Sequence, residues 1–416
     1  MKREVPMIEM VKIRQQFSDD SIEDPAGAVR EAMEKTRLGI YQGMTIGVAV
    51  GSRGIGSIEC MVRTVIDFVK SCGAHPFIIP AMGSHGGATA EGQRAVLAGY
   101  GITEATMEAP IEAGMEVVRL EAPDCECGVH MSRKAAMADG VLLVNRIKPH
   151  TDYHGDYESG LVKMSVIGLG KHVQALEIHK YGVRGLRELL PVAAARIFAT
   201  GKILGGIAIV ENRLDRPSII EAVPGHLIMA REPELLQRAV SSMPRLPVEA
   251  VDVLVVDQIG KDYSGTGLDT NVIGRMHIRG EPEPQHPSIK SIMVRDLSVR
   301  SHGNALGIGM ADVITRRLFD KIDFGPMYEN SFTSTFLERV KIPVIARNDA
   351  EAFAYALRNC GWLAPGTERV VRIRNTLQLD EVYVSLPVLH ELANRGMAEQ
   401  AADPVPLFNG TDMCGF

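Results

Sequence analysis

The sequence predicts an α/β protein with a larger N-terminal domain on a mostly parallel sheet, a smaller α/β C-terminal domain, and an active site in the cleft between them. Two observations carry this prediction. Short apolar runs of strand character alternate with segments whose apolar residues recur at helical spacing, which is typical of a parallel sheet. The length of 416 residues is also enough for about two or three domains.

The first half of the chain shows this alternation most clearly. Residues 44–50 form a compact apolar run that ends in the glycine-rich stretch GSRGIGS. Further strands are expected over 75–83, which leads into GSHGGAT, and over 140–150. A helix is expected over 91–101, closed by a glycine. Another amphipathic helix is predicted from the spacing of Ile58, Met61, Val62, Val65, Phe68 and Val69.

The second half continues with the same kinds of pattern. Its predicted elements, in order, are strands of a meander over 202–214 and 218–223, a helix over 231–243, a buried strand that ends at 260, a helix over 311–323, and a strand followed by a helix over 340–359. The rest of the chain is interpreted as an irregular tail.

A proline-containing stretch from Leu246 gives the predicted domain boundary. Residues 1–247 are interpreted as the catalytic and cofactor domain, and residues 248–375 as the C-terminal α/β domain. The remaining segment, 376–416, is expected to return to the N-terminal domain.

Composition and charge exclude several classes of protein. Apolar residues make up 45% and charged residues 23% of the chain, which is ordinary for a globular protein. A formal net charge of −6 argues against nucleic acid as a partner, because that would need clustered positive charge. No apolar run reaches membrane-spanning length, and charged residues interrupt the N-terminal stretch. A cytoplasmic protein with no membrane partner is therefore expected.

The six cysteines are scattered apart from one close pair, Cys125 and Cys127. A single residue separates the two, which is too few for the usual zinc-ribbon spacing. In a cytoplasmic protein these cysteines are expected to be reduced thiols that are mostly buried.

Polar residues follow three of the predicted strands: Arg53, His85 and His150. Ligands of open α/β sheets bind beyond the carboxyl ends of strands, so we expect these three residues to converge. Arg53 would form a bidentate contact with a carboxylate or phosphate, and the alternative is a surface arginine in a tight turn. The glycines around it, at 51, 54 and 56, do not fit the dinucleotide fingerprint. His85 suits general acid–base chemistry near neutral pH, with a structural role as the alternative.

The stretch KPHTDYHGDYESGLVKMSVIGLGK, residues 148–171, carries the strongest signal. Lys163 lies between the apolar residues Val162 and Met164, and a buried lysine is costly unless it is paired or covalently modified. Such a lysine can carry a cofactor, and the alternative is a lysine that extends to the surface. His179 follows in a helical pattern, where it would cap the helix or bind a metal.

These motifs in this order resemble the lactate racemase family, isomerases that use a nickel pincer nucleotide. The resemblance rests on GSRG, GSHGGAT, KPH with ESGLVK, and EIH. It also rests on their spacing, which is 32 residues from Arg53 to His85, 65 to His150, 13 to Lys163 and 16 to His179. It covers most of the first 270 residues and weakens beyond them.

The resemblance implies a function and a set of roles. The protein would be a racemase or epimerase that inverts C2 of a 2-hydroxy acid, by hydride transfer to and from a nickel pincer nucleotide tethered to Lys163. His179 matches the histidine that binds nickel, and His85 and His150 match the acid–base pair. Arg53 is similar in position to the arginine that binds the substrate carboxylate. Partners would be the small acid and, transiently, the proteins that build and load the cofactor.

Further residues are assigned on the same footing. Gly54 and Gly168 are expected to let the backbone approach the cofactor, and Asn271 and Arg275 to contact substrate. The chain departs from the family where Gly86 follows His85, and in the longer, more polar segment between His150 and Lys163. These departures favour a larger polar acid, such as a sugar acid, over lactate.

Two other functions remain open at the level of sequence. The first is a metal-dependent lyase or hydrolase in which His85, His150 and His179 bind zinc or iron directly. The second is a nucleotide-binding protein without catalysis. A covalent group on Lys163 would discriminate against both.

Overall fold

The protein is described from a computed structural model that covers residues 8–52, 54–397 and 402–416. The chain divides into two compact units. The N-terminal unit comprises residues 18–243, and the C-terminal unit comprises the N-terminal segment up to Phe17 together with the chain from Pro244 onwards.

The strands are β1 (Glu9–Arg14), β2 (Thr45–Val50), β3 (His75–Pro80), β4 (Val117–Leu120), β5 (Val129–Ser132), β6 (Gly140–Arg146), β7 (Ile203–Glu211), β8 (Pro217–Pro224), β9 (Ala250–Ile259), β10 (Ser288–Leu297), β11 (Val313–Thr315), β12 (Val344–Ala346), β13 (Val370–Ile373), β14 (Glu381–Ser385), β15 (Val405–Pro406), β16 (Phe408–Asn409) and β17 (Asp412–Met413).

The α-helices are α1 (Pro25–Lys35), α2 (Ile58–Ser71), α3 (Ala90–Ala98), α4 (Glu104–Met107), α5 (Arg133–Met137), α6 (Leu161–Lys163), α7 (Lys171–His179), α8 (Gly182–Arg184), α9 (Leu190–Ala199), α10 (Ile228–Ser242), α11 (Thr270–Ile273), α12 (Arg316–Phe319), α13 (Phe324–Ser334), α14 (Asp349–Asn359) and α15 (Leu386–Asn394). Two π-helical turns occupy Met164–Gly168 and Gly185–Leu189. The 3₁₀ turns are Gly86–Ala88, Gly225–Leu227, Val299–Ser301, Ile308–Met310 and Leu337–Val340.

The N-terminal unit is built on a sheet which, within the described residues, has five strands in the order β3-β2-β6-β7-β8. The first four are parallel, and β8 pairs with β7 in the antiparallel direction. Strand β2 is buried along almost its whole length, which explains why its sequence is a continuous apolar run. Helix α2 buries Met61, Val62, Val65 and Val69 in the adjoining core, as their helical spacing predicts.

The C-terminal unit has a larger sheet, with the strand order β12-β11-β10-β9-β13-β14-β1-β15 over the part of the chain described. Strands β12 to β13 in that order are parallel, and β14, β1 and β15 are antiparallel to their neighbours. Alternate residues of β9 enter two different hydrophobic clusters, Leu254 and Val256 in one and Val253 and Val255 in the other. Both faces of this sheet are therefore covered, as parallel sheets require.

The α/β fold class predicted from the sequence is confirmed, and most of the predicted elements are present. Two element predictions are wrong. The segment 311–323 begins with strand β11 rather than a helix, because the β-branched side chains of β11 are buried beside β10. The tail is not irregular, since it contributes β13, β14 and α15.

The units also divide the chain differently from the predicted domains. The break between units falls at Met243 and Pro244. Strand β1, which was assigned to the first domain, lies between β14 and β15 in the sheet of the C-terminal unit. Segment 376–416, which was expected to return to the N-terminal domain, therefore contributes to the C-terminal sheet instead. No helix of the described residues is both long enough and apolar enough to cross a bilayer.

Candidate functional site

The loops that follow β3, β2 and β6 lie at one edge of the N-terminal sheet. These strands are adjacent and parallel, so their carboxyl ends meet on the same side. His85 follows β3 and His150 follows β6, as the sequence predicted. Arg53, which would follow β2, lies outside the described residues, and its role in binding substrate stays a prediction.

His85 is tied to the loop after the neighbouring strand. Its Nδ1 shares a hydrogen bond with the hydroxyl of Ser52, and the Tyr100 hydroxyl donates to the Ser52 carbonyl. The His85 side chain is otherwise exposed, so packing does not account for a histidine here. Gly54 is exposed as well, and a Cβ there would have only Tyr100 Cε1 within contact range, at 3.9 Å.

Two buried polar side chains support the His85 loop from beneath. Gln93 Nε2 donates to the carbonyls of Gly83 and His85, at 2.9 and 3.3 Å. Lys171 Nζ donates to the Pro80 carbonyl at 2.6 Å and to Gln93 Oε1 at 3.2 Å. Lys171 is fully buried, and this burial lowers its pKa to about 8. The loop is thus fixed by a buried network that also involves the first residue of α7.

The loop after β6 is organised by one buried carboxylate, that of Glu158. It accepts hydrogen bonds from the backbone N–H groups of His150 and Gly155. It also faces His154 Nδ1 at 3.2 Å, which gives His154 a structural partner. Glu158 is 4% exposed. The carboxylate therefore closes the loop and fixes the position of the His150 backbone.

Tyr153 joins His150 to Lys163. Its ring centroid lies 4.8 Å from that of His150, and the Lys163 ammonium lies 5.6 Å from the Tyr153 centroid. The hydroxyl donates to the Glu158 carbonyl at 3.1 Å. Tyr153 is 1% exposed, and burial raises its pKa above the ordinary value for tyrosine. A neutral, buried aromatic ring therefore contacts the side chains of both His150 and Lys163.

Lys163 ends the short helix α6 and precedes the π-helical turn Met164–Gly168. Its neighbours Val162 and Met164 are buried, whereas Lys163 itself is half-buried. A π-turn inside a helix is frequent at functional sites. The backbone N–H of Val162 donates to the Glu232 carboxylate at 2.9 Å, so Glu232 caps the start of the Lys163 helix.

The site includes His179, the last residue of α7. Burial lowers the pKa of His179, and the positive charge of Lys163 lowers it further, while Asp152 opposes the shift. Two like charges and one carboxylate are therefore close enough to interact. A neutral imidazole is the form that binds a metal. Lys163 and His179 thus interact electrostatically, and they supply an amine and an imidazole.

Asp152 contacts His150 through two groups. Its backbone N–H donates to His150 Nδ1 at 3.0 Å, and its carboxylate oxygen lies 3.8 Å from the same nitrogen. A backbone N–H can only donate, so in this arrangement the neutral ring carries its proton on Nε2. If the ring proton moved from Nε2 to Nδ1, the Asp152 carboxylate could accept a hydrogen bond from Nδ1.

Gly168 is enclosed by protein. A Cβ at this position would lie 2.7 Å from the Ala81 carbonyl oxygen. The glycine thus allows the π-turn to pack against the end of β3. This close packing is enough to explain why a glycine occupies position 168. The expected role of Gly168 in binding the cofactor stays a prediction.

Asn271 and Arg275 lie in the C-terminal unit. Arg275 is surrounded by acceptors of that unit, since its guanidinium donates to the Met310 carbonyl at 2.9 Å and to the Asp312 carboxylate at 2.8 Å. Asn271 Nδ2 donates to Asp269 Oδ1 at 3.0 Å, at the start of α11. These contacts give both residues structural roles, and their contact with substrate stays a prediction.

Sequence reasoning missed several residues that shape the site: Ser52, Tyr153, Glu158, Lys171 and Glu232. A signal existed for Glu158, an acidic residue two positions before Gly160, the glycine that precedes α6. For Glu232 the signal was weaker, because burial depends on contact with a segment about seventy residues away. None was recognisable from residue type alone.

The fold itself belongs to a known class of α/β architecture. A scan against protein-family models finds no match, and a search of curated proteins finds none either. Among solved structures, the chain is similar to the lactate racemase apoprotein from Thermoanaerobacterium thermosaccharolyticum, with a TM-score of 0.51 and 11% sequence identity. The match covers 85% of this chain and 95% of that chain. At this identity, the similarity establishes a shared fold.

The side chains present are compatible with a tethered, metal-containing group. Lys163 offers an amine beside an aromatic ring, and His179 offers an imidazole held in the neutral form. No group of three His, Cys, Asp or Glu side chains arranged to hold a metal is found among the described residues. A lysine amine and a single imidazole could hold an organic group that brings further ligands for its metal.

Proposed function

We propose that the N-terminal unit is an isomerase that inverts C2 of a 2-hydroxy acid. In this proposal a nickel pincer nucleotide is tethered to Lys163 and its metal is bound by His179. The observation that carries the proposal is the electrostatic interaction of Lys163 with His179, together with the contacts of Tyr153 with both Lys163 and His150. The fold shared with a lactate racemase apoprotein supports the same function.

When bound, the group would supply an acceptor for the hydrogen at C2, taken as hydride because that hydrogen is a very weak acid. The protein would hold the group from two sides. The amine of Lys163 would form the covalent tether, and Tyr153 limits the directions in which that side chain can point. The buried cap from Glu232 to Val162 fixes the helix from which Lys163 projects.

His85 and His150 would move the hydroxyl proton. The Ser52 hydroxyl can donate to or accept from His85 Nδ1, so His85 can present either a proton or a lone pair at Nε2. His150 presents a proton at Nε2 while the Asp152 N–H donates to its Nδ1. It would be a base at Nε2 when the ring proton is on Nδ1, where the Asp152 carboxylate can accept it, and an acid once both ring nitrogens are protonated. Inversion needs such a pair, because each face requires a base in one direction and an acid in the other.

The substrate is proposed to be larger and more polar than lactate, such as a sugar acid. Residues 154–156 of the loop after β6 are exposed and polar, in the sequence His154, Gly155, Asp156. They lie in the same loop as His150, four to six residues further on, so a hydroxylated substrate tail would meet hydrogen-bonding groups there. The proposed partners are this acid and the proteins that build and load the cofactor.

Two mass measurements test the proposal. Protein from a host that makes the cofactor should gain a covalent group that maps to Lys163, and protein from a host without that biosynthesis should not. A Lys163→Arg variant keeps the positive charge but should gain nothing in either host. A metal-loaded protein with no mass on Lys163 would favour a metal-dependent lyase or hydrolase instead.

The reaction is tested separately with candidate acids. Loaded protein should convert one C2 epimer into the other, with deuterium placed at C2 retained in the product, because the hydrogen returns to the carbon it left. A covalent group on Lys163 without turnover of any 2-hydroxy acid would favour a nucleotide-binding protein without catalysis. Washout of deuterium into water would contradict hydride transfer.

A further inference from the structure

Cys125 and Cys127 lie side by side in the loop between β4 and β5. Their sulfur atoms are 3.2 Å apart, and both are free thiols. A disulfide bond is about 2.0 Å long, so a shift of about 1.2 Å would bring the two sulfurs to bonding distance. A pair this close needs little rearrangement to be oxidised.

The loop that carries the two thiols is anchored at several points. The Tyr181 hydroxyl donates to the Glu126 carbonyl at 3.3 Å, and the Glu126 carboxylate is paired with Arg184. The backbone N–H of Gly128 donates to the Glu177 carboxylate at 3.0 Å. These contacts fix the backbone on both sides of Cys127. The proximity of the thiols is therefore a feature of an ordered loop.

The two thiols differ in accessibility. Cys127 is 3% exposed, and burial together with the neighbouring thiol raises its pKa to about 12. Cys125 is only half-buried. A reagent from solution therefore reaches Cys125 first, and Cys127 is placed to react with Cys125 in a second step.

An open cavity of about 390 Å³ lies near the loop that carries the two thiols. Asp124, the residue before Cys125, lines it together with Arg196, Pro191, Val192 and Ala195. Arg196 is paired with Asp124 and interacts electrostatically with Cys125. The cavity thus offers apolar surface together with a paired carboxylate and guanidinium, which suits a small disulfide that carries groups of both charges.

We propose that Cys125 and Cys127 form a redox-active dithiol that exchanges with low-molecular-weight disulfides. The Cys125 thiolate attacks one sulfur of the small disulfide, whose S–S bond breaks, and the departing thiolate takes up a proton. The Cys127 thiol then loses its proton, and its thiolate attacks the Cys125 sulfur and releases a second small thiol. The protein loses two electrons and two protons, and the small disulfide gains both. This site does not depend on the proposed isomerase function.

Oxidised and reduced glutathione serve as the probe. Reduced full-length protein is equilibrated anaerobically with mixtures of the two, then quenched with acid, alkylated and digested for mass spectrometry. The expected result is an intramolecular Cys125–Cys127 disulfide whose fraction rises with oxidised glutathione and returns to zero with dithiothreitol. If the native protein forms no such disulfide at any glutathione ratio, while both thiols are alkylated in urea, the proposal is overturned.

Single variants test the order of attack. Cys127→Ser should trap glutathione on Cys125, whereas Cys125→Ser should take up glutathione on Cys127 at least about tenfold more slowly, because that sulfur is buried. Equal rates in the two variants would contradict the assigned roles. Cys360→Ser, in the C-terminal unit, is the matched control and should leave the disulfide unchanged. The experiment on the unmodified protein needs no variant to fold.

Discussion

Replacing Glu232 by glutamine should remove a pH dependence from the stability of the protein. Glu232 is 2% exposed, and its Oε1 has no hydrogen-bond partner among the described residues. Burial raises its pKa from 4.5 to about 7. The Glu232 carboxyl group, which caps α6, is therefore harder to ionise in the folded protein than in the unfolded chain.

The sign and size of the effect follow from this shift. Below pH 4.5 both states hold the proton, and the shift has no effect. As the pH rises from 4.5 towards 7 the unfolded chain ionises first, so the free energy of unfolding falls, and above 7 the loss is complete. A shift of roughly 2.5 pH units corresponds to about 3 kcal/mol.

The assay is urea unfolding followed by far-ultraviolet circular dichroism, for wild type and Glu232→Gln at matched pH values. Glutamine cannot ionise, so the variant should gain about 3 kcal/mol relative to wild type between pH 4.5 and pH 8. Glu234→Gln, an exposed position on the same helix, is the control and should follow wild type. A difference in unfolding free energy between Glu232→Gln and wild type that stays constant across this range would contradict a raised pKa for Glu232.

Three further predictions concern the residues around the histidines. Between pH 8 and pH 10.5 the folded protein releases the Lys171 proton before the unfolded chain does, so the unfolding free energy of wild type should rise by about 3 kcal/mol. Lys171→Met should abolish this rise, and urea unfolding at several pH values checks it. Tyr153→Phe keeps the ring but removes the hydroxyl hydrogen bond, so it should lower the unfolding free energy by about 1 kcal/mol. Tyr153→Leu also removes the ring contacts with His150 and Lys163, so it should in addition lower turnover by loaded protein at least about tenfold. Asp152→Asn should lower kcat/KM about 100-fold, equally in both directions because the equilibrium constant is unchanged, and equal activity of this variant and wild type would contradict the role of the carboxylate.

The sequence predicted those elements whose own residue pattern is enough to specify a strand or a helix. Strand β2 is a continuous apolar run because both its faces are buried, and α2 repeats apolar residues with helical spacing. A helix was wrongly predicted over the whole of 311–323, because a strand as short as Val313–Thr315 leaves little pattern in the sequence and depends on pairing with β10. Strand β1 likewise depends on partners near the other end of the chain.

The candidate site shows the same division. The strand-end positions of His85 and His150 could be predicted, since parallel strands bring their carboxyl ends to one edge. The role of Glu232 could not, because a glutamate on an amphipathic helix is ordinarily expected to face water. Tyr153 was also missed, because its contacts with His150 and Lys163 depend on how the loop folds back on itself.

In the proposed function, Lys163 carries a covalent cofactor and His179 binds its metal. The most direct measurement is the mass of the peptide that contains Lys163, from protein made with the cofactor-building proteins present. We expect an added group on Lys163 that Lys163→Arg lacks and that His179→Ala retains with less nickel. An unmodified Lys163 in nickel-bearing protein would contradict it.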